Sequence, residues 1–275
     1  MFPAIRIGAL ERYRVRGSKA PRLAEIDPRD RQAFAAAREE VERATAVDIA
    51  EIDRLQEILY AQAQRALLIV FQGVDTSGKD GAIRHVFGPI DPLGVTAVSF
   101  KKPGEQELRH DFLWRVHHAV PAAGMIGIFN RSHYEDVLVP RVHGLLSAER
   151  IEARYAQINA FERYLAGNGV LSLKFLLHIS RHEQTARLRQ RLEDPSKRWK
   201  FSPADLAERK HWDGYMAAYQ AVLDRCSEAA PWFVVPADRK WYRNAVVARI
   251  IRATLEGMEL AYPPDPPGLD GIEVD

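Results

Sequence analysis

Disulfides are the first thing this sequence cannot form. Of its 275 residues only Cys226 is a cysteine, so no internal bridge is possible and the chain fits a reducing compartment. Cys226 lies in a helical-looking stretch and reads as a small buried apolar filler. Long apolar runs are also missing. None approaches the roughly 18 residues of a membrane span, and the opening MFPAIRIGALERYR lacks the apolar core of a signal peptide. A cytoplasmic protein with no membrane partner is expected. Charge of one sign is scarce too. Lys plus Arg number 39 against 37 Asp plus Glu, a net of +2. No global field points to nucleic acid, and anion binding must come from local clusters. No H-E-x-x-H pair occurs, since HEQTA at 182–186 fails at its last position. His117 and His118, being adjacent, diverge by about 100° on a helix. With one cysteine, a structural zinc site is not expected.

What is present is an alternation of apolar runs and helical patterns. ALLIVFQG (66–73), VTAVSF (95–100), MIGIFN (125–130), VLSLKFLLHIS (170–180) and WFVVPA (232–237) read as five strands. Between and around them, helices are expected over 31–65, from Gly78 through Phe87, over 105–120, over 147–167, through a charged region broken by Pro195 and Pro203, and over 240–261. Strands alternating with helices predict a parallel sheet covered on both faces. The simplest organisation is an extended N-terminal arm (1–30), one α/β domain (31–262) and a flexible tail (263–275).

The stretch GVDTSGKD (73–80) follows the first strand and opens a helix. It fits G-x-x-x-x-G-K in the strand–loop–helix setting that a phosphate-binding P-loop requires. Gly73 and Gly78 let backbone amides face phosphate oxygens. Lys79 supplies a mobile positive charge, and the helix start adds a partial one. Asp80 stands where such loops carry a serine or threonine hydroxyl that helps hold Mg²⁺. With Asp75 it offers carboxylate oxygens instead, ligands that suit Mg²⁺ beside a polyanion. A plain glycine-rich turn with a solvated lysine is the bland alternative, and the preceding strand weighs against it.

Two further blocks carry chemistry. FNRSHYEDVLVPRVHG (129–144) follows the third strand, at the sheet edge where ligands of open α/β sheets sit. Asn130, Arg131, His133, Glu135 and Asp136 are placed to reach that edge, with Arg141 and His143 beyond. Arg131 suits charge on a transferring phosphoryl group, and Asp136 suits either a metal or a proton. A solvated turn is the alternative. The third block, RLRQRLEDPSKRWKFSPADLAERKHWDGY (187–215), holds much of a basic cluster: seven Lys or Arg against three acids over 181–200. Phosphate is its natural partner. Trp199 and Phe201 either stack on a base or pack the segment down. The prolines suggest a hinged lid that excludes water. A solvated helical hairpin is the alternative here.

Together these blocks, in this order and spacing, resemble the polyphosphate kinase 2 family across roughly residues 30–262. The resemblance implies a P-loop kinase-like α/β sandwich of thymidylate-kinase type: a five-stranded parallel sheet, helices on both faces and a helical lid over about 187–215. It implies transfer of a phosphoryl group between inorganic polyphosphate and a nucleotide, with Mg²⁺ or Mn²⁺. Residue by residue, it implies catalytic roles for Asp75, Lys79, Arg131 and Asp136. Phosphate and nucleotide binding fall to Gly73, Gly78, Asp80, Gly81, Asn130, His133 and Arg141 as well. Polyphosphate binding falls to Arg187, Arg191, Lys197, Arg198 and Lys200 of the lid, and metal binding to Asp75, Asp80 and Asp136. Many members restricted to nucleoside diphosphates or monophosphates carry FDRSWYNR or FDRSWYGR. Here FNRSHYED puts Asn130 in place of the aspartate, and Asp80 replaces a frequent glycine. This combination resembles the third class, which accepts both AMP and ADP. It moves the metal role of the Asn130 position to Asp136. Adenine or guanine nucleotides, no nucleic acid, and a homo-oligomer (tetramer or dimer) are the expected partners. An ATP-dependent nucleoside monophosphate kinase of the same fold is the rival enzyme, and a nucleotide-binding regulatory module the rival without catalysis.

Overall fold

A computed structural model describes all residues except 1, 2, 4, 18, 19, 269–271 and 273–275, together with all but the side chain of Lys200. The expected tail therefore lies partly outside the described residues. Five strands form one sheet: β1 (Ala66–Gln72), β2 (Val95–Ser99), β3 (Ile126–Asn130), β4 (Val170–His178) and β5 (Trp232–Pro236). Their order is β2-β3-β1-β4-β5, and every pair is parallel. All seven residues of β1 are buried. A central parallel strand has both faces covered, so it reads as an unbroken apolar run rather than an alternating one. Edge strand β2 keeps Thr96, Ala97 and Ser99 exposed.

The helices are α1 (Arg38–Gln62), α2 (Lys79–Phe87), α3 (Trp114–His118), α4 (Glu135–Val142), α5 (Ala148–Gly167), α6 (Arg181–Glu193), α7 (Pro203–Arg209), α8 (Trp212–Arg225) and α9 (Lys240–Glu256). On one face α1, α2 and α9 bury Ile52, Leu59, Val86, Val247 and Ile251 against Leu67, Ile69 and Phe71. On the other, α4, α5 and α8 bury Leu138, Ile158 and Val222 against Leu68 and Val70. Successive residues of β1 thus feed opposite cores, as a strand's period of two dictates. Cys226 belongs to the second core and is fully buried, where burial pushes its thiol up to about 12.

Three departures from the expected elements have local causes. The helix expected over 105–120 is only a 3-10 turn, Glu107–Arg109, and the short α3. Between them the Asp111 carboxylate accepts from Leu113 N at 2.9 Å, an Asx turn that competes with helix. The helix expected from residue 31 begins at Arg38, after Ala37 in extended backbone (φ −64°, ψ 156°). An unforeseen helix, α4, runs on from the end of β3 with Pro140 inside it.

The N-terminal segment forms 3-10 turns at Gly8–Tyr13 and Leu23–Glu25. Val15 N donates to Trp232 O at 2.9 Å, and an antiparallel bridge joins Arg14 to Phe233. Tyr13 and Tyr242 hydroxyls meet at 2.6 Å.

Candidate active site

β1 and its parallel neighbours all end on one side, and the loops leaving them converge there. The loop after β1 turns on Gly73 at φ +147° and Gly78 at φ +101°, conformations that favour glycine. Space is a second constraint. A Cβ on Gly73 would lie 2.7 Å from Leu177 O, and one on Gly78 would lie 2.0 Å from Arg243 Nη1. Thr76 also has positive φ, +66°, the kind of local strain that collects at functional loops. Lys79 is buried at 7% exposure. Its Nζ donates to Gly73 O at 2.7 Å and Val74 O at 3.3 Å. Burial, seconded by the Arg131 charge, lowers Lys79 to about 8. Thr76 Oγ1 and Ser77 Oγ are buried and make no hydrogen bond within the protein. Buried hydroxyls normally find partners, so this loop has unused capacity for oxygen ligands.

Arg131 follows β3 directly and also has positive φ, +62°. Its guanidinium pairs with the Asp75 carboxylate and with Glu135 at 3.3 Å. Burial alone would lower Arg131, but Glu135 and Asp75 overturn this and hold it above its ordinary value. With its amide oriented so that both ends are satisfied, Gln72 Nε2 donates to Glu135 Oε1 at 3.0 Å. Asn130 Nδ2 donates to Asp80 Oδ1 at 2.8 Å, tying the first turn of α2 to the end of β3. Asp75, Lys79, Asp80, Asn130 and Arg131 are thus brought together by β1 and β3, with Gly81 in the same first turn.

Other expected site residues lie elsewhere. The Asp136 carboxylate faces Arg115 at 3.5 Å, while its backbone oxygen accepts from Arg154. Burial raises its carboxyl despite those two arginines. Among the described residues no group of three or more His, Cys, Asp or Glu could hold a metal ion, so Asp75, Asp80 and Asp136 do not gather into one cluster. His133 is 1% exposed and points away from the loop into the α5 core. There it lies 3.4 Å from Glu162, and Glu162 pairs with Lys174 at 2.6 Å. Arg141 is exposed beside Tyr155.

The basic segment divides. Arg187 is 7% exposed, and all five of its N–H groups are engaged. It donates to Thr76 O and Ser77 O at 2.9 Å each, to Ala237 O at 2.6 Å and Asp238 O at 3.2 Å, and to Glu183 at 2.8 Å. It clamps the loop from behind, and no donor remains for a polyanion. Arg191 lies 3.7 Å from Asp205, Lys197 pairs with Asp194, and Arg198 Nε donates to Leu192 O at 2.8 Å. Trp199 is 78% exposed. The Lys200 side chain lies outside the described residues. α7 stands over the loop: burial and the Asp75 charge together push the Asp205 carboxyl up.

Two supporting residues gave no signal of their own in the sequence. Gln184 Nε2 donates to Asp75 O at 3.1 Å. Arg243, 3% exposed, packs behind Gly78 and donates to Asn244 Oδ1 at 2.7 and 3.1 Å. Glu135, expected at the same sheet edge, orients Arg131 through an i,i+4 pair.

A parallel α/β sheet whose central strand ends in a glycine loop, with a buried lysine and a facing arginine, defines a P-loop phosphotransferase site. Known proteins narrow the class. The family model Polyphosphate kinase 2 (PPK2) matches residues 35–263. The AMP/ADP-polyphosphate phosphotransferase of Meiothermus ruber is 48% identical over 255 residues, covering 92% of this chain and 96% of that one. The ADP-polyphosphate phosphotransferase of Rhodopseudomonas palustris is 43% identical over 232 residues, 80% of each. The crystal structure of Polyphosphate Kinase 2 from Arthrobacter aurescens TC1 superposes with a TM-score of 0.90 at 41% identity, covering 98% of this chain and 95% of that one. The chain belongs to the polyphosphate kinase 2 family.

Proposed function

We propose that this protein transfers the terminal phosphoryl group of inorganic polyphosphate to AMP and to ADP, giving ADP and ATP. The observation that carries this is the meeting of the buried Lys79 loop with the Arg131–Asp75 pair at the ends of β1 and β3. A terminal phosphate oxygen of the acceptor attacks the end phosphorus of the chain. A new P–O bond forms as the bridging P–O bond to the rest of the chain breaks, and the shortened polyphosphate leaves with that electron pair. The attacking oxygen is already anionic near neutral pH, so catalysis reduces to positioning and charge neutralisation. Lys79 exchanges its two loop carbonyls for phosphate oxygens, and Arg131 neutralises charge on the transferring group. Thr76 and Ser77 hydroxyls are available to the same oxygens.

The donor set fits Mg²⁺. This ion needs only one or two protein carboxylates when substrate phosphates and water complete its shell. Asp75 and Asp80 would hold it, and it would supply positive charge against the phosphoryl oxygens. The segment of about 187–215 serves as the lid that excludes water. The protein is further taken to act as a cytoplasmic homo-oligomer. Separately, among the described residues no helix is long and apolar enough to cross a membrane.

The test offers AMP and ADP separately, with long-chain polyphosphate and Mg²⁺, and resolves the nucleotides by chromatography. ADP and ATP formed from AMP are expected. ATP from ADP alone would remove the monophosphate acceptor. Transfer to AMP from ATP but never from polyphosphate would instead make the protein an ordinary nucleoside monophosphate kinase.

A further inference from the structure

Gln72 is the last residue of β1 and stands one place before the phosphate loop. It follows the register pair of Phe71 with Asn130, so it lies beside the turn that carries Arg131. The residue is fully buried, and nothing in the transfer chemistry uses it. An amide in such a place must satisfy both of its ends. The Gln72 side-chain oxygen accepts from Ser132 N and Ser132 Oγ at 3.2 Å each, and Nε2 donates to Glu135 Oε1 at 3.0 Å.

The contacts continue outward. The second oxygen of Glu135 accepts from Arg131 Nη1 at 3.3 Å, and Arg131 Nη2 pairs with the Asp75 carboxylate. Gln72, Glu135, Arg131 and Asp75 therefore form one chain of hydrogen bonds, running from inside the sheet to the phosphate loop. Arg131 needs such support. It is only partly buried, arginine has many rotamers to lose, and its backbone is held at φ +62°. Asp75 belongs to the loop that receives phosphate, so Glu135 is the partner outside that loop. Gln72 in turn fixes which Glu135 oxygen is left for Arg131. The residue type matters here. Glutamine accepts from a backbone N–H and donates to a carboxylate at once. A methionine of similar length does neither, and an ionised glutamate only accepts. A glutamate would also set a second negative charge against Glu135.

We propose that Gln72 is a positioning residue for phosphoryl transfer, acting on Arg131 through Glu135. The proposal rests on Arg131 facing the transferring group, as in the function proposed above. Gln72 touches no substrate. It holds the carboxylate that aims the guanidinium, and its loss is felt in the rate of transfer rather than in the grip on the donor.

The test compares the parent and Glu135→Gln with Gln72→Met, Gln72→Met/Glu135→Gln, Gln72→Glu and Gln72→Glu/Glu135→Gln. It measures kcat with ADP and long-chain polyphosphate, polyphosphate Kd by direct titration, and folding by urea unfolding. Gln72→Met should lower kcat about tenfold, the scale of one lost hydrogen bond to a charged group, and change Kd by less than about twofold. Adding Glu135→Gln to it should cost less than about threefold more, because both changes cut the same chain, whereas independent losses would multiply. In the Gln72→Glu background the sign should reverse. There Glu135→Gln removes a like-charge pair and should raise kcat. A space-filling role would leave kcat per folded molecule unmoved and would show only in the urea midpoint. A Gln72→Met kcat within about twofold of the parent, losses that multiply, or a Gln72→Glu variant made slower by Glu135→Gln would overturn the proposal. If Gln72→Met does not fold, the two glutamate variants decide it. A parent that took phosphate only from ATP would overturn the donor assignment but not the positioning role, and the same variants are then compared with ATP and AMP.

Discussion

Arg187 Nη1 donates to Ser77 O at 2.9 Å although the two residues stand 110 apart in the chain. The same guanidinium holds Ala237 O and Asp238 O after β5, so the phosphate loop and the last crossover share one donor. Lysine has no planar fork with which to replace it. Arg187→Lys should therefore destabilise the protein by at least about 3 kcal/mol, since several buried carbonyls lose their partner. Urea unfolding checks this. Unchanged stability with a raised polyphosphate KM would make Arg187 a ligand rather than a clamp.

Lys79→Met should lower kcat by on the order of 10² to 10³, the usual effect of deleting one electrostatic stabiliser. Lys79 sits at about 8 in the free protein because burial disfavours its charge. Its proton is lost as pH rises through that value, so kcat/KM should fall above about pH 8. Bound phosphate favours the charged form, so the same limb in kcat should lie at higher pH. Stability has the opposite sign. Between about 8 and the ordinary 10.5 the unfolded chain holds the proton that the folded one has released, so stability rises with pH across that window. Lys79→Met should abolish this rise.

Glu135 and Asp136 are neighbours with different tasks. Glu135 lies 3.3 Å from Arg131, whereas Asp136 faces Arg115. Glu135→Gln should free Arg131 and lower kcat about tenfold or more, the scale of a lost charge-assisted hydrogen bond. Asp136→Asn should cost less than about tenfold. Steady-state kinetics of the two variants side by side decide this. The reverse ranking would return Asp136 to the catalytic centre.

The buried pair Glu162–Lys174 underlies the loop that carries Arg131. Burial pushes the Glu162 carboxyl up, but Lys174 and His133 overcome this and hold it below its ordinary value. Lys174 Nζ also donates to the Tyr134 hydroxyl at 2.9 Å and Cys226 O at 2.7 Å. Lys174→Met alone should cost about 3–5 kcal/mol by stranding a buried carboxylate. Glu162→Gln/Lys174→Met should cost less than the sum of the two single changes. Because the Glu162 pKa is depressed, its contribution is present at neutral pH and is lost as pH falls through the folded value. Denaturation midpoints of the three variants across acidic pH test both statements.

The five strands were legible because each is a local apolar run, and β1 ends where Gly73 begins. The phosphate loop was legible for the same reason, since its ligating groups are consecutive. The 105–120 pattern failed because periodicity does not register one aspartate side chain capturing a backbone amide, as Asp111 does at Leu113. His133 and Arg187 carried the right chemistry in a promising place, yet the fold buried one against Glu162 and spent the other on backbone carbonyls. Such assignments depend on partners far away in the chain, which spacing alone does not reveal. Arg243 is the same case reversed: an unremarked helical arginine that packing sets against Gly78.

The two margins of the sheet are not alike. Beyond β5 the chain's own leading segment lies alongside, with Val15 N on Trp232 O and Arg14 bridged to Phe233. Among the described residues no strand pairs with the outer side of β2. An unpaired margin is a template for adding strands, so the leading segment works as a selvedge, finishing the β5 side against fraying and against growth. Strand addition between copies is thereby confined to β2, three of whose five residues are exposed. Trimming the chain ahead of Val15 would open a second, more apolar margin.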